Sequence, residues 1–342
     1  MTGTLLEIDG LSVRFTTRAG VAVAVDDLSL EVRRGETLAL VGESGSGKSV
    51  TALACLGLLP PASAEVTARH LRFDGEELLG AAPDRLRSLR GRSIAMIFQE
   101  PMTSLNPVLS IGDQVSEGLR HHHGLGDDEA LAEARALLDL VGIPEPARRL
   151  HEYPHQLSGG MRQRAMIAMA LSCRPTLLIA DEPTTALDVT VQAQVLALLR
   201  DLRERLGMGL LLITHDLGVV AETADRVAVL YAGRIVEEAP VEELFRSPRH
   251  PYTAGLLRSL PRLTGPREAL VPISGAVPDA LSFPPGCRFH PRCSAALERC
   301  SRAVPSLVLR GAEGSGHRSA CFAVDEAPDV DLLAARTEEP VG

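Results

Sequence analysis

The sequence has no long hydrophobic run. No stretch approaches the roughly 20 consecutive apolar residues that a membrane-spanning helix needs. Residues 1–10 include acidic side chains and lack the apolar core of a secretory signal. These absences predict an intracellular protein, and any contact with a membrane would pass through other subunits.

Positive charge is also scarce. The 342 residues include 35 basic and 44 acidic side chains, which gives a formal net charge of −9. No basic tract offsets that balance, so the composition argues against a general nucleic-acid binder. Hydrophobic residues at 45% and charged residues at 23% are ordinary for a globular protein that buries a sizeable core. The length predicts one large domain and an extension.

Closely spaced cysteine pairs are missing as well, and structural disulfides are rare in an intracellular protein. Four of the six cysteines nevertheless fall in the last fifth of the chain, at Cys287, Cys293, Cys300 and Cys321. Five, six and 20 residues separate them, whereas a structural zinc site usually contains pairs two to four residues apart. Four thiolates can instead hold a 4Fe–4S cluster, whose charge Arg288, Arg292 and Arg299 would offset. A cluster, zinc and four unligated thiols are the three alternatives.

Against these absences stands a glycine-rich loop between a predicted strand and a predicted helix. Its residues are Gly42, Glu43, Ser44, Gly45, Ser46, Gly47, Lys48 and Ser49. The glycines allow a tight turn with inward N–H groups, and the helix N-terminus behind it adds partial positive charge. In this pattern Lys48 reaches the β- and γ-phosphates and Ser49 holds Mg²⁺. The loop therefore predicts a nucleoside triphosphate site, because a chance glycine-rich turn would not explain the strand and helix around it.

The rest of the chain suggests two kinds of sheet and an insertion. Alternating polarity at 11–15 and 28–32 predicts half-buried strands. Helix-prone sequence broken by prolines, from about 99 to 170, predicts a helical subdomain. Continuous apolar runs at Leu177–Asp181 and Leu210–Ile213 predict strands buried on both faces. Since strands alternate with helices after the loop, the main sheet should be mostly parallel.

Polar residues suited to phosphate chemistry recur at strand ends and at one helix start. Asp181 closes a buried strand and can anchor Mg²⁺ through its water shell, and Glu182 is placed to polarise a water toward the γ-phosphate. His215 follows a parallel strand and can contact the same phosphate. Ser158–Gly160 at a helix start can form a second anion site, with an ordinary serine N-cap as the alternative.

These motifs, in this order, resemble the nucleotide-binding subunit of ATP-binding cassette (ABC) transporters over roughly residues 5–260. The resemblance implies an α/β fold in which a P-loop ABC ATPase domain occupies 1–260. That domain would have a mostly parallel core sheet, an antiparallel β subdomain and a helical subdomain inserted at about 99–170. A C-terminal extension with the four cysteines would occupy 261–342, with disorder from about Asp325 because the last residues are acidic.

The resemblance also implies roles across a pair of ATPase subunits. The signature of one subunit closes over the ATP of the other, so ATP binding closes a head-to-tail pair and hydrolysis reopens it. The residues implied for that partner site are Leu157, Ser158, Gly159, Gly160, Gln163 and Asp188. Gln99 would sense the metal and the γ-phosphate beside the catalytic Glu182 and His215. Phe15 would stack on adenine where many members have tyrosine, with core packing as its alternative.

Three separated stretches indicate one branch of the family. Residues 99–107, 249–253 and 286–293 are similar to dipeptide, oligopeptide and nickel importers. The resemblance implies an ATPase that uses ATP and Mg²⁺ to power import of dipeptides, oligopeptides or a related small solute. The implied partners are a second, usually different ATPase chain, two permeases and an extracytoplasmic solute-binding protein, with this chain on the cytoplasmic face of the membrane. Some members carry a 4Fe–4S cluster, which favours that alternative for the cysteines.

The rival function is a non-transport ABC ATPase that acts on the ribosome or on DNA. The single cassette, the acidic charge and the importer-like sequence around Gln99 argue against it, and we expect no nucleic-acid partner. A phosphate-loop kinase or a switch GTPase would leave Leu157–Gly160 unexplained.

Overall fold

Two β-sheets and an inserted group of helices form the chain in a computed structural model, which describes residues 3–99, 104–185, 187–260, 272–310, 316–327 and 332–333. The strands are β1 (Thr4–Thr17), β2 (Gly20–Arg33), β3 (Thr37–Val41), β4 (Ala64–Thr67), β5 (His70–Phe73), β6 (Glu76–Glu77), β7 (Ile94–Ile97), β8 (Leu177–Asp181), β9 (Gly209–Thr214), β10 (Arg226–Tyr231), β11 (Arg234–Pro240), β12 (Val308–Leu309) and β13 (Arg318–Ser319). The α-helices are α1 (Lys48–Cys55), α2 (Pro83–Leu89), α3 (Ile111–His123), α4 (Asp127–Leu140), α5 (Pro146–Arg149), α6 (Gly159–Leu171), α7 (Val189–Leu206), α8 (Leu217–Thr223), α9 (Val241–Arg246), α10 (Pro251–Arg258) and α11 (Phe322–Glu326). In the described ranges, no helix combines the length and the apolar character needed to cross a bilayer.

The first sheet is antiparallel. Its order is β2-β1-β5-β6, and β4 also pairs with β1. Leu11 and Val13 of β1 are fully buried while the residues between and after them are more exposed, which is the period of a strand with one face on the core. The half-buried strands predicted at 11–15 and 28–32 therefore exist, as parts of two strands of 14 residues each.

The second sheet holds the core of the molecule. Its order is β12-β13-β11-β10-β3-β9-β8-β7, and the five strands from β10 to β7 run parallel. Every residue of β3, β8 and β9 is buried, which explains their continuous apolar sequences. Because parallel strands end at the same edge of a sheet, the segments that follow β3, β7, β8 and β9 meet along one edge. That edge carries the predicted site.

Helices α3 to α6 lie between β7 and β8 in the chain. Helix α3 packs against α4 and α6, and Val115, Leu138 and Ile167 from these helices share a buried cluster with Leu178 of β8. The cluster fastens the inserted helices to one face of the core sheet. The predicted insertion begins near 99, and residues 100–103 of the importer-like stretch there lie outside the described residues.

After α10 the chain returns to the core sheet. Residues 261–271, which contain the predicted boundary of the extension, lie outside the described residues. Strand β13 pairs antiparallel with β11, with Ser319 opposite Glu237, and β12 pairs with β13. The extension therefore completes one side of the sheet that carries the phosphate loop at its centre.

Helix α11 extends past Asp325, where the acidic sequence predicts that disorder begins. Helix α11 continues through Glu326, and the Asp325 carboxylate pairs with the guanidinium groups of Arg299 and Arg310. Leu332 is buried in a small apolar cluster with residues of the extension. Residues 328–331 and 334–342 of the predicted disordered tail lie outside the described ranges.

Candidate functional site

The phosphate loop lies between β3 and α1 at the carboxyl edge of the core sheet. Strand β3 ends at Val41 and helix α1 begins at Lys48, as the sequence predicts. Gly47 has a φ of 108°, and a Cβ atom there would lie 2.5 Å from the carbonyl oxygen of Ala24. Only glycine accommodates both that conformation and that close approach. The loop is thus folded tightly against the antiparallel sheet.

The loop encloses one cation and an unsatisfied hydroxyl. Lys48 is the only lysine of the chain, and its Nζ donates to two loop carbonyl oxygens at 2.8 and 3.1 Å. Burial lowers the pKa of Lys48, against the opposing effect of the Glu182 and Asp181 carboxylates. The Ser46 hydroxyl is buried and has no hydrogen-bond partner within the described part of the chain. These groups fit the oxygen atoms of bound phosphates.

Asp181 lies beside the phosphate loop at the end of β8. It is 3% exposed and lies beside Ser49 in the first turn of α1. Burial raises the pKa of Asp181, and the hydrogen bond from Ser49 opposes that rise. Its Oδ1 atom is buried without a hydrogen-bond partner among the described residues. A hydroxyl and a carboxylate supply the oxygen ligands that Mg²⁺ prefers, so Ser49 and Asp181 fit that ion.

Glu182 is held by three side chains. Its carboxylate accepts hydrogen bonds from Gln99 Nε2 at 3.0 Å and Thr185 Oγ1 at 2.9 Å, and it lies 3.2 Å from His215 Nδ1. Burial by itself raises the pKa of Glu182, but the hydrogen bonds from His215 and Thr185 outweigh burial and bring the pKa below its ordinary value. Glu182 also has a φ of 46°, a strained conformation that is common at functional sites. The edge therefore presents a fixed, ionised carboxylate.

Comparisons with known proteins identify the family. Residues 25–185 match the family described as ABC transporter, and residues 236–300 match the one described as oligopeptide/dipeptide transporter, C-terminal region. A Brucella melitensis protein named "Putative peptide import ATP-binding protein" is 56% identical over 315 residues, which cover 89% of this chain and 93% of that protein. This chain belongs to the ABC transporter ATP-binding proteins. The Bacillus subtilis "Dipeptide transport ATP-binding protein DppD" is 47% identical over 335 residues, 98% of this ABC ATPase and 99% of its relative.

Solved structures agree with the fold of this ABC ATPase. An ATP-binding cassette described as dimeric, in a post-hydrolysis state and bound to ADP and Pi, is similar with a TM-score of 0.61 at 27% identity and covers 69% of this chain and 98% of its own. The cbiO1 cassette of Clostridium perfringens is similar with a TM-score of 0.58 at 28% identity, over 71% of this chain and 91% of its own. The predicted α/β ATPase fold is confirmed.

The predicted signature of this ABC ATPase lies at the start of helix α6, among the inserted helices. Ser158 is the N-cap, and its Oγ accepts a hydrogen bond from the Met161 N–H at 3.3 Å. The N-cap alternative is thus realised, while Ser158 and Gly159 also remain exposed at a helix N-terminus. A Cβ atom on Gly160 would lie 2.9 Å from a Val191 methyl group of α7, so glycine there permits close helix packing.

The remaining predicted partner-site residues differ in exposure. Leu157 and Gln163 are buried, and Gln163 Nε2 has no hydrogen-bond partner in the described ranges. Asp188 is exposed and caps α7 by accepting hydrogen bonds from the N–H groups of Thr190 and Val191. These residues belong to the inserted helices and to α7, whereas Lys48, Ser49, Asp181, Glu182, Gln99 and His215 gather at the sheet edge.

Phe15 has a mixed environment. It lies on β1 with Ala22 of β2 and Ala64 of β4 as register partners, is half-buried, and packs against the core of the antiparallel sheet. The core-packing alternative therefore applies to part of this side chain.

The four C-terminal cysteines are neighbours without forming a metal-binding group. Negative charges on Cys321, Cys287 and Cys300 would repel a thiolate at Cys293 and raise its pKa. The four thiols therefore lie near one another. Burial raises the pKa of Cys293 to about 12 and also raises the pKa values of Cys287 and Cys321, which favours neutral thiols. Among the described residues, no three or more His, Cys, Asp or Glu side chains are arranged to hold a metal ion. The predicted iron–sulfur cluster and its zinc alternative are therefore not supported.

Sequence analysis missed the contacts that the C-terminal part of the chain makes with the phosphate loop. Tyr252 and Arg292 both contact Glu43, although 209 and 249 residues separate them from it. The available signal was indirect: Tyr252 and Arg292 lie in two of the three importer-like stretches, at 249–253 and 286–293.

Proposed function

We propose that this ABC ATPase hydrolyses ATP to power import of dipeptides, oligopeptides or a related small solute. The observation that carries the ATPase chemistry is the ionised Glu182 carboxylate, fixed beside the phosphate loop by Gln99, Thr185 and His215. The relatives named for peptide import and dipeptide transport support the cargo, as does the match to the C-terminal region of oligopeptide/dipeptide transporters.

Nucleotide binding uses the loop and the adjoining strand end. Lys48 and the loop N–H groups bind the β- and γ-phosphates. Ser49 and Asp181 would hold Mg²⁺, which would neutralise the charge that develops on the phosphates. Phe15 offers an aromatic ring for stacking with adenine. The buried, unsatisfied oxygens of Ser46 and Asp181 support this assignment, because such atoms are normally completed by a partner.

Hydrolysis uses Glu182 as the group that orients and deprotonates the attacking water. The water oxygen forms a bond to the γ-phosphorus while the bond from that phosphorus to the β–γ bridging oxygen breaks, and the proton passes to Glu182. A base must be ionised before it acts, and the lowered pKa of Glu182 satisfies that requirement at neutral pH. His215 and Gln99 orient the carboxylate and lie where they can contact the γ-phosphate.

A second ATPase chain, usually a different one in this group, would complete the site. Leu157–Gly160, Gln163 and Asp188 of one chain would close over the ATP bound by the other. The exposure of Ser158 and Asp188 supports this role, as does the dimeric state described for a similar cassette. Two permeases would anchor the pair to the cytoplasmic face of the membrane, and an extracytoplasmic binding protein would deliver the solute.

The metal content of the extension is a separate proposal. A 4Fe–4S cluster, or zinc, would require the four thiols to lose their protons and to approach one another more closely. The support for this proposal is that the four thiols lie near one another, since each cysteine charge would raise the pKa of its neighbours. Protein purified without oxygen should be brown and contain iron and sulfide if the cluster forms. Stoichiometric zinc in colourless protein would establish the alternative, and protein free of both would refute the proposal.

The importer assignment is tested by isolating the native complex. The tagged chain would be extracted in mild detergent, and the co-purifying polypeptides identified by mass spectrometry. Two permeases, a second ATPase and a solute-binding protein are expected, and the ligand of that binding protein would identify the cargo. Ribosomal or DNA-repair proteins without a permease would refute the transport function and leave the ATPase chemistry intact.

A further inference from the structure

Two segments in the C-terminal part of the chain, one with Tyr252 and one with Arg292, contact the phosphate loop at Glu43. The Arg292 guanidinium donates to both carboxylate oxygens of Glu43, at 3.1 Å each. The Glu43 backbone N–H donates to the Tyr252 hydroxyl at 3.0 Å. One residue near the start of the loop is therefore held through its side chain and its backbone at once.

Arg292 is itself fixed. Its side chain is only 6% exposed, and it donates from Nε to the Ser274 carbonyl at 2.9 Å and from Nη2 to the Ile273 carbonyl at 3.4 Å. The guanidinium also donates to the Tyr231 hydroxyl at 3.4 Å. With its donors occupied in this way, Arg292 presents one preset orientation to Glu43.

Aromatic packing holds Tyr252 in place. The Tyr252 ring lies 4.6 Å from the Tyr231 ring and 5.4 Å from the Phe289 ring, measured between centroids. Phe289 precedes Arg292 by three residues in the extension, and Tyr231 ends β10 in the core sheet. The three rings therefore pack the core sheet, α10 and the extension together. This packing supports both contacts to Glu43.

The same extension reaches the far side of the loop through a hairpin turn. Arg288 donates to the Ala232 carbonyl oxygen and pairs with Asp26. The next residue, Gly233, donates its N–H to the Ser46 carbonyl at 2.9 Å. The segment from Arg288 to Arg292 thus supports the loop at two points.

The charge on Glu43 gives these contacts a consequence for the nucleotide. Its carboxylate lies in a loop that binds anions, where an uncompensated negative charge repels phosphate. Arg292 compensates that charge, and its burial limits screening by solvent. We infer that Arg292, with Tyr252, is a positioning residue. It holds the phosphate loop in its conformation and neutralises the Glu43 charge, so that the loop can bind ATP. The inference rests on the proposed ATP-binding function and gives the C-terminal extension a direct influence on that site.

The test is a double-mutant cycle. Its measured quantity is the affinity of the full chain for MgATP, obtained by competition between a fluorescent nucleotide and ATP. Arg292→Ala should weaken binding about tenfold, because it exposes the phosphates to the Glu43 charge. The double variant R292A/E43Q should bind within about threefold of the wild type, since the offending charge is then absent. Arg292→Lys, which keeps the charge, should recover most of the affinity.

Arg302→Ala is the matched control. Arg302 lies in the same extension, but its side chain is 75% exposed and pairs with Glu298 one helical turn away, so its loss should leave affinity unchanged. Equal affinity of R292A and the wild type would overturn the inference. So would weak binding of R292A that neither Glu43→Gln nor Arg292→Lys relieves, because that result means a structural role only. A wild-type chain that binds no ATP would instead refute the proposed function itself.

Discussion

The carboxyl edge of the core sheet and the C-terminal extension both lie against the phosphate loop, but two buried oxygens at the edge and one guanidinium in the extension differ in their hydrogen bonding. At the edge, Ser46 Oγ and Asp181 Oδ1 are buried without partners in the described chain. In the extension, the Arg292 guanidinium donates hydrogen bonds to Glu43, Tyr231 and two backbone carbonyl oxygens. A ligand can complete buried oxygens that lack partners, whereas a fully hydrogen-bonded guanidinium stabilises a conformation. The comparison separates the groups that bind from the groups that support.

The largest expected effect falls on the edge, at its ionised carboxylate. Glu182→Gln preserves the shape of the side chain but removes the base, so ATP turnover should fall at least about 100-fold while nucleotide affinity is retained. Phosphate release by the assembled complex and nucleotide binding by the chain measure the two quantities. Unchanged turnover would remove Glu182 from the catalytic role.

Lys48→Ala should have the next largest effect, on binding. Its ammonium is the cation that the loop encloses, and losing a charged hydrogen bond to phosphate costs about 1.5–3 kcal/mol, or roughly 10- to 100-fold in affinity. Titration with a fluorescent nucleotide measures the loss. Full affinity in this variant would contradict the assignment of the loop. A loss of affinity smaller than that of R292A would mean that Lys48 does not bind the phosphates more directly than Arg292 does.

In the extension, Phe289→Ala should lower stability more than it changes chemistry. Phe289 is 3% exposed and packs on Tyr231 and Tyr252, so its truncation should reduce the free energy of unfolding by about 3 kcal/mol. Urea denaturation measures this free energy of unfolding. Leu309→Ala, at a position 66% exposed in the same extension, is the control and should change stability by less than about 0.5 kcal/mol. Equal effects of both substitutions would show that the extension does not pack on the core as described.

The smallest expected effect is a displacement of the pH profile. The Thr185 hydroxyl lowers the pKa of Glu182, so activity should persist as pH falls below the ordinary carboxyl range and disappear only as pH passes through the lowered value. Thr185→Val removes one hydrogen bond and raises that pKa, so the acid limb of the turnover profile should move to higher pH. An unmoved limb would mean that another group controls it.

The edge of the sheet could be predicted because its information is local. The loop from Gly42 to Ser49, the buried strand Leu177–Asp181 and the acidic residue after it each occur within a few neighbouring residues, and parallel topology brings strand ends together. The contact between Arg292 and Glu43 spans 249 residues, and no local periodicity encodes such a pairing. Cysteine spacing likewise does not encode how the four side chains are arranged in space, and the described residues contain no group arranged to hold a metal ion.

Lys48 has one more consequence, which concerns covalent chemistry. Every other basic side chain among the 35 is arginine, so the only ε-amino group of the protein lies inside its phosphate loop. A reagent that acylates lysine has a single side-chain target here, and bound nucleotide would shield it. Enzymes that acetylate lysine face the same limit: the one lysine in this sequence is the buried residue to which we assign phosphate binding.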